Sequence, residues 1–247
     1  MNGAEAALIR RPETGPAPPM IAILHEDNHC LAVDKPAGLL SQGDSTGEPS
    51  VVDLARDYLK ARFAKPGNVY VGLVHRLDRP TSGVLLLART SKGASRLSEQ
   101  FRDGQVAKTY EAIAEGSWPD EAGEWEDWLL KDDRTNVVAA VPPRTPGAQS
   151  ARVAYRVIAR RPGRLTLELS PTTGRGHQLR VQLASRGLPI VGDSKYGARS
   201  RLMALDGLPR IALHARELRF RHPTRPELLT IVAPPPADWP DGPSGPR

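Results

Sequence analysis

Along this chain the spacing of apolar residues changes period several times, and each change predicts an element. Ile21 to Leu24 and Cys30 to Val33 are short apolar runs divided by His-Glu-Asp-Asn-His. Asp27 and Asn28 favour a turn, so a hairpin is expected there. From Ser50 to Phe63 the residues Val51, Leu54, Ala55, Tyr58, Leu59 and Phe63 recur at helical spacing behind a Ser50/Asp53 capping-box pattern. Lys65-Pro66-Gly67-Asn68 closes that helix, Val69 to Val74 reads as a strand, and Val84 to Arg89 reads as a buried one. Ser91 is expected to cap a second helix that carries Ala94, Leu97 and Phe101 and stops at Gly104. Lys108 to Ile113 alternates as a strand does, with Tyr110 and Ala112 on one face. Val153 to Ala159 and Leu165 to Ser170 read as a hairpin turned by Arg161-Pro162-Gly163-Arg164. Leu179 and Leu183 then fall at helical spacing. Many strands separated by few helices argue against a regular parallel array of βαβ units.

Three stretches lack such a period. Residues 1–19 hold Gly, Ala and four Pro and are expected to be a loose tail, as is the Pro-rich segment 234–247. Gly116 to Gly147 is expected to be a peripheral excursion ending in a surface loop, with Trp118, Trp125 and Trp128 packed locally. The remainder, residues 20–233, is expected to be one domain; a chain of 247 residues with 39% hydrophobic content can bury a sizeable core.

Composition narrows the class. A single cysteine, Cys30, excludes an intramolecular disulfide and is expected to be a small core residue. No run approaches the eighteen apolar residues of a membrane span, and the first residues lack the apolar core of a secretory signal, so a cytoplasmic protein is expected. The net charge of +6 is unevenly spread. Between Ala151 and Arg225 stand sixteen Lys or Arg against four acids, whereas Glu111 to Asp133 holds nine acids against one Lys. An Arg-rich region suits phosphate binding, because guanidinium forks match phosphate oxygens. A solvated basic face fits the count equally well.

His25-Glu26-Asp27-Asn28-His29 satisfies the H-E-x-x-H pattern of zinc proteases. That chemistry needs both histidines on one face of a helix. Asp27 and Asn28 are poor helix-interior residues between strand-like flanks, so no metal is expected there.

The densest chemistry lies in His75-Arg76-Leu77-Asp78-Arg79-Pro80-Thr81-Ser82-Gly83-Val84-Leu85-Leu86-Leu87-Ala88. It sets one carboxylate between two arginines, on a turn that runs into an apolar strand. Groups at strand ends are held rigidly, as catalysis requires, although an Asp there also serves simply to close its own turn. The string resembles the H-R-L-D-x-x-T-S-G motif of the RluA-type pseudouridine synthases, with every defined position filled. Further segments are similar to that family in the same order: Glu26-Asp27 leading to Lys35-Pro36-Ala37-Gly38; Lys108-Thr109-Tyr110-Glu111-Ala112; Thr173-Gly174-Arg175-Gly176-His177-Gln178-Leu179-Arg180; Gly192-Asp193 with Lys195-Tyr196-Gly197; and Phe220-Arg221-His222-Pro223. The chain departs from the family pattern at Gly176, Gln182 and Leu188, which bears on RNA contacts more than on catalysis.

The resemblance covers residues 21–233 and implies an α+β fold: a mixed, largely antiparallel central sheet with flanking helices. It implies a stand-alone catalytic domain that isomerises uridines in structured ribosomal or transfer RNA without cofactor or metal, as a monomer. It assigns Asp78 as the catalytic carboxylate, Arg180 as its guanidinium partner and Tyr110 as the wall against the base. Arg76, Arg175, His177 and Gln178 are then the expected RNA contacts. The alternative from another class is a non-catalytic RNA-binding protein that uses the basic region 151–225 and has no need of Asp78.

Overall fold

The computed structural model describes residues 21–204 and 207–240. The chain forms two compact units: residues up to Val106 with Glu217–Pro234, and Ala107–Arg216 with the residues from Pro235 onward. The expected tail at 1–19 and the end of the expected tail at 241–247 lie outside the described residues.

In the first unit β1 (Ala22–Glu26) and β2 (Cys30–Lys35) form the expected hairpin. Asp27 closes its turn, with Oδ1 accepting from the backbone N–H of His29 (2.7 Å) and Cys30 (2.8 Å). Helix α1 (Val51–Arg62) begins at Ser50 with both halves of the capping box made, and buries Val51, Val52, Leu54, Ala55 and Leu59. The strand expected over 69–74 shrinks to β3 (Gly72–Leu73), the two residues that find partners on β4 (Ser82–Ala88). Every residue of β4 is buried, and β2 runs antiparallel beside it from Cys30 opposite Ala88 to Lys35 opposite Gly83. This strand is the rigid floor on which the 75–81 segment ends. Helix α2 (Ser91–Arg102) is capped by Thr90, not Ser91: Thr90 has the extended backbone of a cap, and its Oγ1 accepts from Gly93 N–H at 3.0 Å.

The second unit contains β5 (Ala107–Glu115), β6 (Ala122–Asp132), β7 (Val137–Val141), β8 (Gln149–Arg161), β9 (Arg164–Pro171) and helix α3 (Gln178–Ala184). Its strands run in the order β5-β9-β8-β6-β7, all antiparallel. The region expected to be a peripheral excursion is therefore two paired strands. On β6, Trp125 and Leu129 are buried while Glu124 and Glu126 face water, so the acids belong to a sheet with one wet face. Trp125 stacks on Tyr155 (4.1 Å between rings), and Trp118 Nε1 donates to the Tyr155 hydroxyl at 2.9 Å, so these tryptophans do pack locally.

Strand β10 (Leu213–Arg221) starts in the second unit and finishes in the first, where β11 (Leu228–Val232) pairs with it. The C-terminal segment is not loose where it is described. Trp239 is 3% exposed, and its Nε1 donates to Glu111 Oε1 at 3.0 Å, because an indole this large removes enough apolar surface from water to hold the chain down.

Candidate active site

Asp78 stands between β3 and β4 on a turn closed by Thr81 N–H donating to the Asp78 carbonyl at 3.0 Å. Residues 35–41 hold this turn. Lys35, fully buried at the end of β2, donates from Nζ to the carbonyls of Pro36 (3.0 Å), Leu39 (2.8 Å) and Arg79 (3.1 Å). Gly38 N–H donates to the Arg79 carbonyl at 2.8 Å, and Arg79 Nε donates back to the Gly38 carbonyl at 2.9 Å. Gly38 has φ of 88°, a conformation that a side chain would strain, so the chain can approach this closely only with glycine. Ser41 Oγ donates to the Leu77 carbonyl (2.7 Å) and accepts from Leu77 N–H (3.2 Å). Asp78 is thus gripped on both sides through the backbones of Leu77 and Arg79.

Charge follows the same geometry. Burial pushes the Lys35 ammonium down to about 7, against the opposing pull of Asp78 and Asp34 and with a smaller push from Arg79. Burial also raises Asp34 to about 6. Arg79 reaches Glu48 at 3.1 and 2.5 Å, so it is a strut of the turn. His75 accepts from Leu86 N–H at Nε2 (2.9 Å) and stacks on Phe101, which ties the approach to Asp78 onto β4 and α2. Arg76 is exposed.

The other expected site residues lie in the second unit. Tyr110 is half-buried on β5. Lys108, two residues before it, donates to the Thr173 carbonyl at 2.9 Å, and its burial lowers the ammonium to about 8. On α3, Arg180 is buried and makes a two-pronged bond to Asp193, while its guanidinium lies 4.9 Å from the centre of the Tyr196 ring. The Tyr196 hydroxyl lies 2.6 Å from His177 Nδ1 and accepts from Val138 N–H at 3.1 Å. Tyr196 therefore joins two expected site residues, Arg180 and His177. Gly192, with φ of 87°, places Asp193; a Cβ there would strike the Arg210 carbonyl.

Gln178, expected as an RNA contact, is buried and bonded within its own chain. Its Oε1 accepts from Thr173 Oγ1 (2.8 Å) and Arg175 N–H (3.1 Å), and its Nε2 donates to Arg152 O (3.0 Å) and Gln182 Oε1 (3.1 Å). The buried amide is spent on its own chain and shapes the loop that carries exposed Arg175. Gln182, also buried, donates to Asp127 and the Ala151 carbonyl, so this departure from the family pattern serves the scaffold. Sequence reasoning gave no role to Lys35, Ser41, Asp193 or Tyr196. Three of them stood inside recognised segments, but only the partners revealed here say what they do.

The H-E-x-x-H pattern falls on the end of β1 and the turn that follows it. His25 Nε2 pairs with Asp27, and His29 Nδ1 pairs with Thr90. Asp27, Cys30 and His222 bring possible metal-binding atoms within 4.8 Å of one another. Asp27 already meets His25, His222, Arg225 and two backbone N–H groups. Burial opposes its ionisation, yet the N–H of His29 and the other bonds hold its carboxyl well below the usual range. The group is a hydrogen-bonded clasp between the β1–β2 turn and the 222–225 turn.

Residues 29–185 match the family model described as RNA pseudouridylate synthase. A dual-specificity RNA pseudouridine synthase RluA of Pasteurella multocida is 35% identical over 90% of this chain and 96% of its own length. A tRNA pseudouridine synthase C of Vibrio cholerae is 36% identical over 87% of this chain and 91% of its own. The ribosomal large subunit pseudouridine synthase C of Vibrio vulnificus is 34% identical over 86% of this chain, which spans 65% of that relative's length. Among solved structures, human RNA pseudouridylate synthase domain containing 4 superposes with a TM-score of 0.70 at 29% identity, covering 85% of this chain and 87% of its own.

Proposed function

Since this chain belongs to the RNA pseudouridylate synthase family, we propose that it converts specific uridines of ribosomal or transfer RNA to pseudouridine, with Asp78 as the catalytic carboxylate. The supporting observation is the turn itself: the one carboxylate of the 75–88 motif is fixed through both neighbouring backbones by residues 35–41. Such fixing pre-positions a reacting group without cost at the moment of reaction.

The reaction breaks the N1–C1′ bond, turns the freed uracil and rejoins it through C5. Asp78 acts at the ribose, either by attack at C1′ or by removing a ribose proton. Arg180, aimed by Asp193 and Tyr196, is its proposed guanidinium partner; an opposing cation within about 4–6 Å keeps a carboxylate ionised. Tyr110 is the proposed wall for the turning base, and Arg76 the wedge that fills the space of the extruded nucleotide. Extrusion costs a few kcal/mol, less in a loop than in a stem. Arg175 and His177 are proposed phosphate or ribose contacts. No helix among the described residues is long and apolar enough to cross a membrane, and a monomer working in the cytoplasm is the proposed setting.

Pseudouridine mapping of total RNA from cells lacking this protein, complemented with wild type or Asp78→Asn, tests this reading. Specific sites should vanish on deletion and return only with the wild type. Full restoration by Asp78→Asn would remove Asp78 from catalysis; no site lost on deletion would favour an RNA-binding protein without this activity.

A further inference from the structure

Between Asp57 and Asp78 the chain carries no acidic residue, yet holds Lys60, Arg62, Lys65 and Arg76. The same stretch contains both aromatic residues among the large exposed hydrophobics: Phe63, 44% exposed, and Tyr70, 49% exposed. Phe63 is the C-cap of α1. Its ring has the Arg89 guanidinium 4.6 Å from its centre, with Arg62 at 5.8 Å and Lys65 Nζ at 5.9 Å. Arg89 is itself anchored, bonded to Glu26 at 3.0 Å and to the Asp27 carbonyl. Glu26 also pairs with Arg62 at 3.2 Å, so one carboxylate faces two guanidiniums and the exposed Lys60 and Lys65 add to the excess.

We infer that this surface, centred on Phe63, is a second RNA-docking site that stacks an unpaired nucleotide flanking the target uridine; the inference rests on the function proposed above. An aromatic plate fixed by a cation offers a π-face to any base, and neighbouring lysines and arginines meet the phosphates between bases. No sequence readout is implied, because every base has such a face. The patch belongs to the far end of β4 from Asp78: Arg89, whose guanidinium lies against the Phe63 ring, follows Ala88 at that end, whereas the Asp78 turn leads into Ser82. Seven strand residues at about 3.3 Å each separate the two by roughly 20 Å. The surface therefore engages RNA beyond the extruded nucleotide and acts on affinity, not on the chemical step.

The test compares Phe63→Leu, which keeps apolar bulk but has no π-face, with Phe63→Trp, which keeps one. Each is assayed on a short stem-loop and on the same stem-loop extended by single-stranded flanks, with thermal melts to confirm folding. Phe63→Leu should raise KM and Kd for the extended RNA by roughly fivefold to a hundredfold, the worth of one stacked base. It should leave kcat and the short substrate within twofold, and Phe63→Trp should restore extended-RNA affinity. Arg62→Glu with Lys65→Glu should flatten the salt dependence of binding. Equal affinity of Phe63→Leu and wild type for the extended RNA overturns the inference. So does loss of binding to anionic phospholipid vesicles with RNA affinity intact, which would assign the patch to a lipid surface. If the wild type itself neither binds RNA nor forms pseudouridine, it is the proposed function that fails.

Discussion

Arg180 grips Asp193 through two hydrogen bonds, 2.7 Å from Nε to Oδ2 and 2.8 Å from Nη2 to Oδ1, and both side chains are almost wholly closed to solvent. A planar fork held this way has one orientation, because both prongs must meet the same carboxylate.

Removing one member of such a pair leaves the other charge buried. Asp193→Ala should lower stability by about 3–5 kcal/mol, read as a shift in the urea midpoint with unchanged slope. A loss under 1 kcal/mol would show that the pair is not the anchor it looks to be.

Tyr196 offers its ring to Arg180 and its hydroxyl to His177 and Val138. Tyr196→Phe keeps the ring and should raise KM for RNA several-fold while lowering kcat less. Tyr196→Leu should lower kcat at least tenfold as well. Combining Tyr196→Phe with His177→Ala should cost no more in KM than His177→Ala alone, since the hydroxyl acts through the imidazole; additive effects would separate the two residues.

Lys35 titrates lower folded than free, about 7 against 10.5. Between those values the unfolded chain binds the extra proton, so this group makes stability rise with pH from about 7 toward 10. Lys35→Met strands three carbonyls at a cost of about 2–4 kcal/mol, and its deficit relative to wild type should widen across that window. Asp34, Asp78 and Arg79 share this electrostatic neighbourhood. A deficit constant from pH 6 to 10 would mean that Lys35 does not lose its proton there.

Trp239 is part of the second unit's core and donates to Glu111 Oε1. Trp239→Ala should destabilise by about 3–5 kcal/mol, seen in the melting midpoint. No change would return this segment to the status of a tail.

Local signals were legible wherever a residue's neighbours in sequence are also its partners in space. The Ser50–Asp53 capping box, the Asp27 turn and the buried run of β4 are of that kind, and each formed as expected. The 75–88 string likewise displayed its carboxylate and its turn. Reading failed where partners are distant. The 116–147 stretch looked formless because β6 exposes one acidic face, and only pairing with β8 and β7 discloses its alternation. The partners of the Gln178 amide, Arg152, Thr173 and Gln182, were likewise not legible, because the fold alone brings Arg152 beside it.

The sequence by itself determined the local elements and the groups they display: a carboxylate between two arginines on a turn, an aromatic on an alternating strand, and the caps and turns that hold them. Tertiary structure alone decided what holds those groups, by burying Lys35 under the Asp78 turn and closing Asp193 and Tyr196 around Arg180. The reason is physical. Turns and caps draw their energy from bonds a few residues long, whereas the direction of a buried charge is set by partners that only a packed core brings within reach.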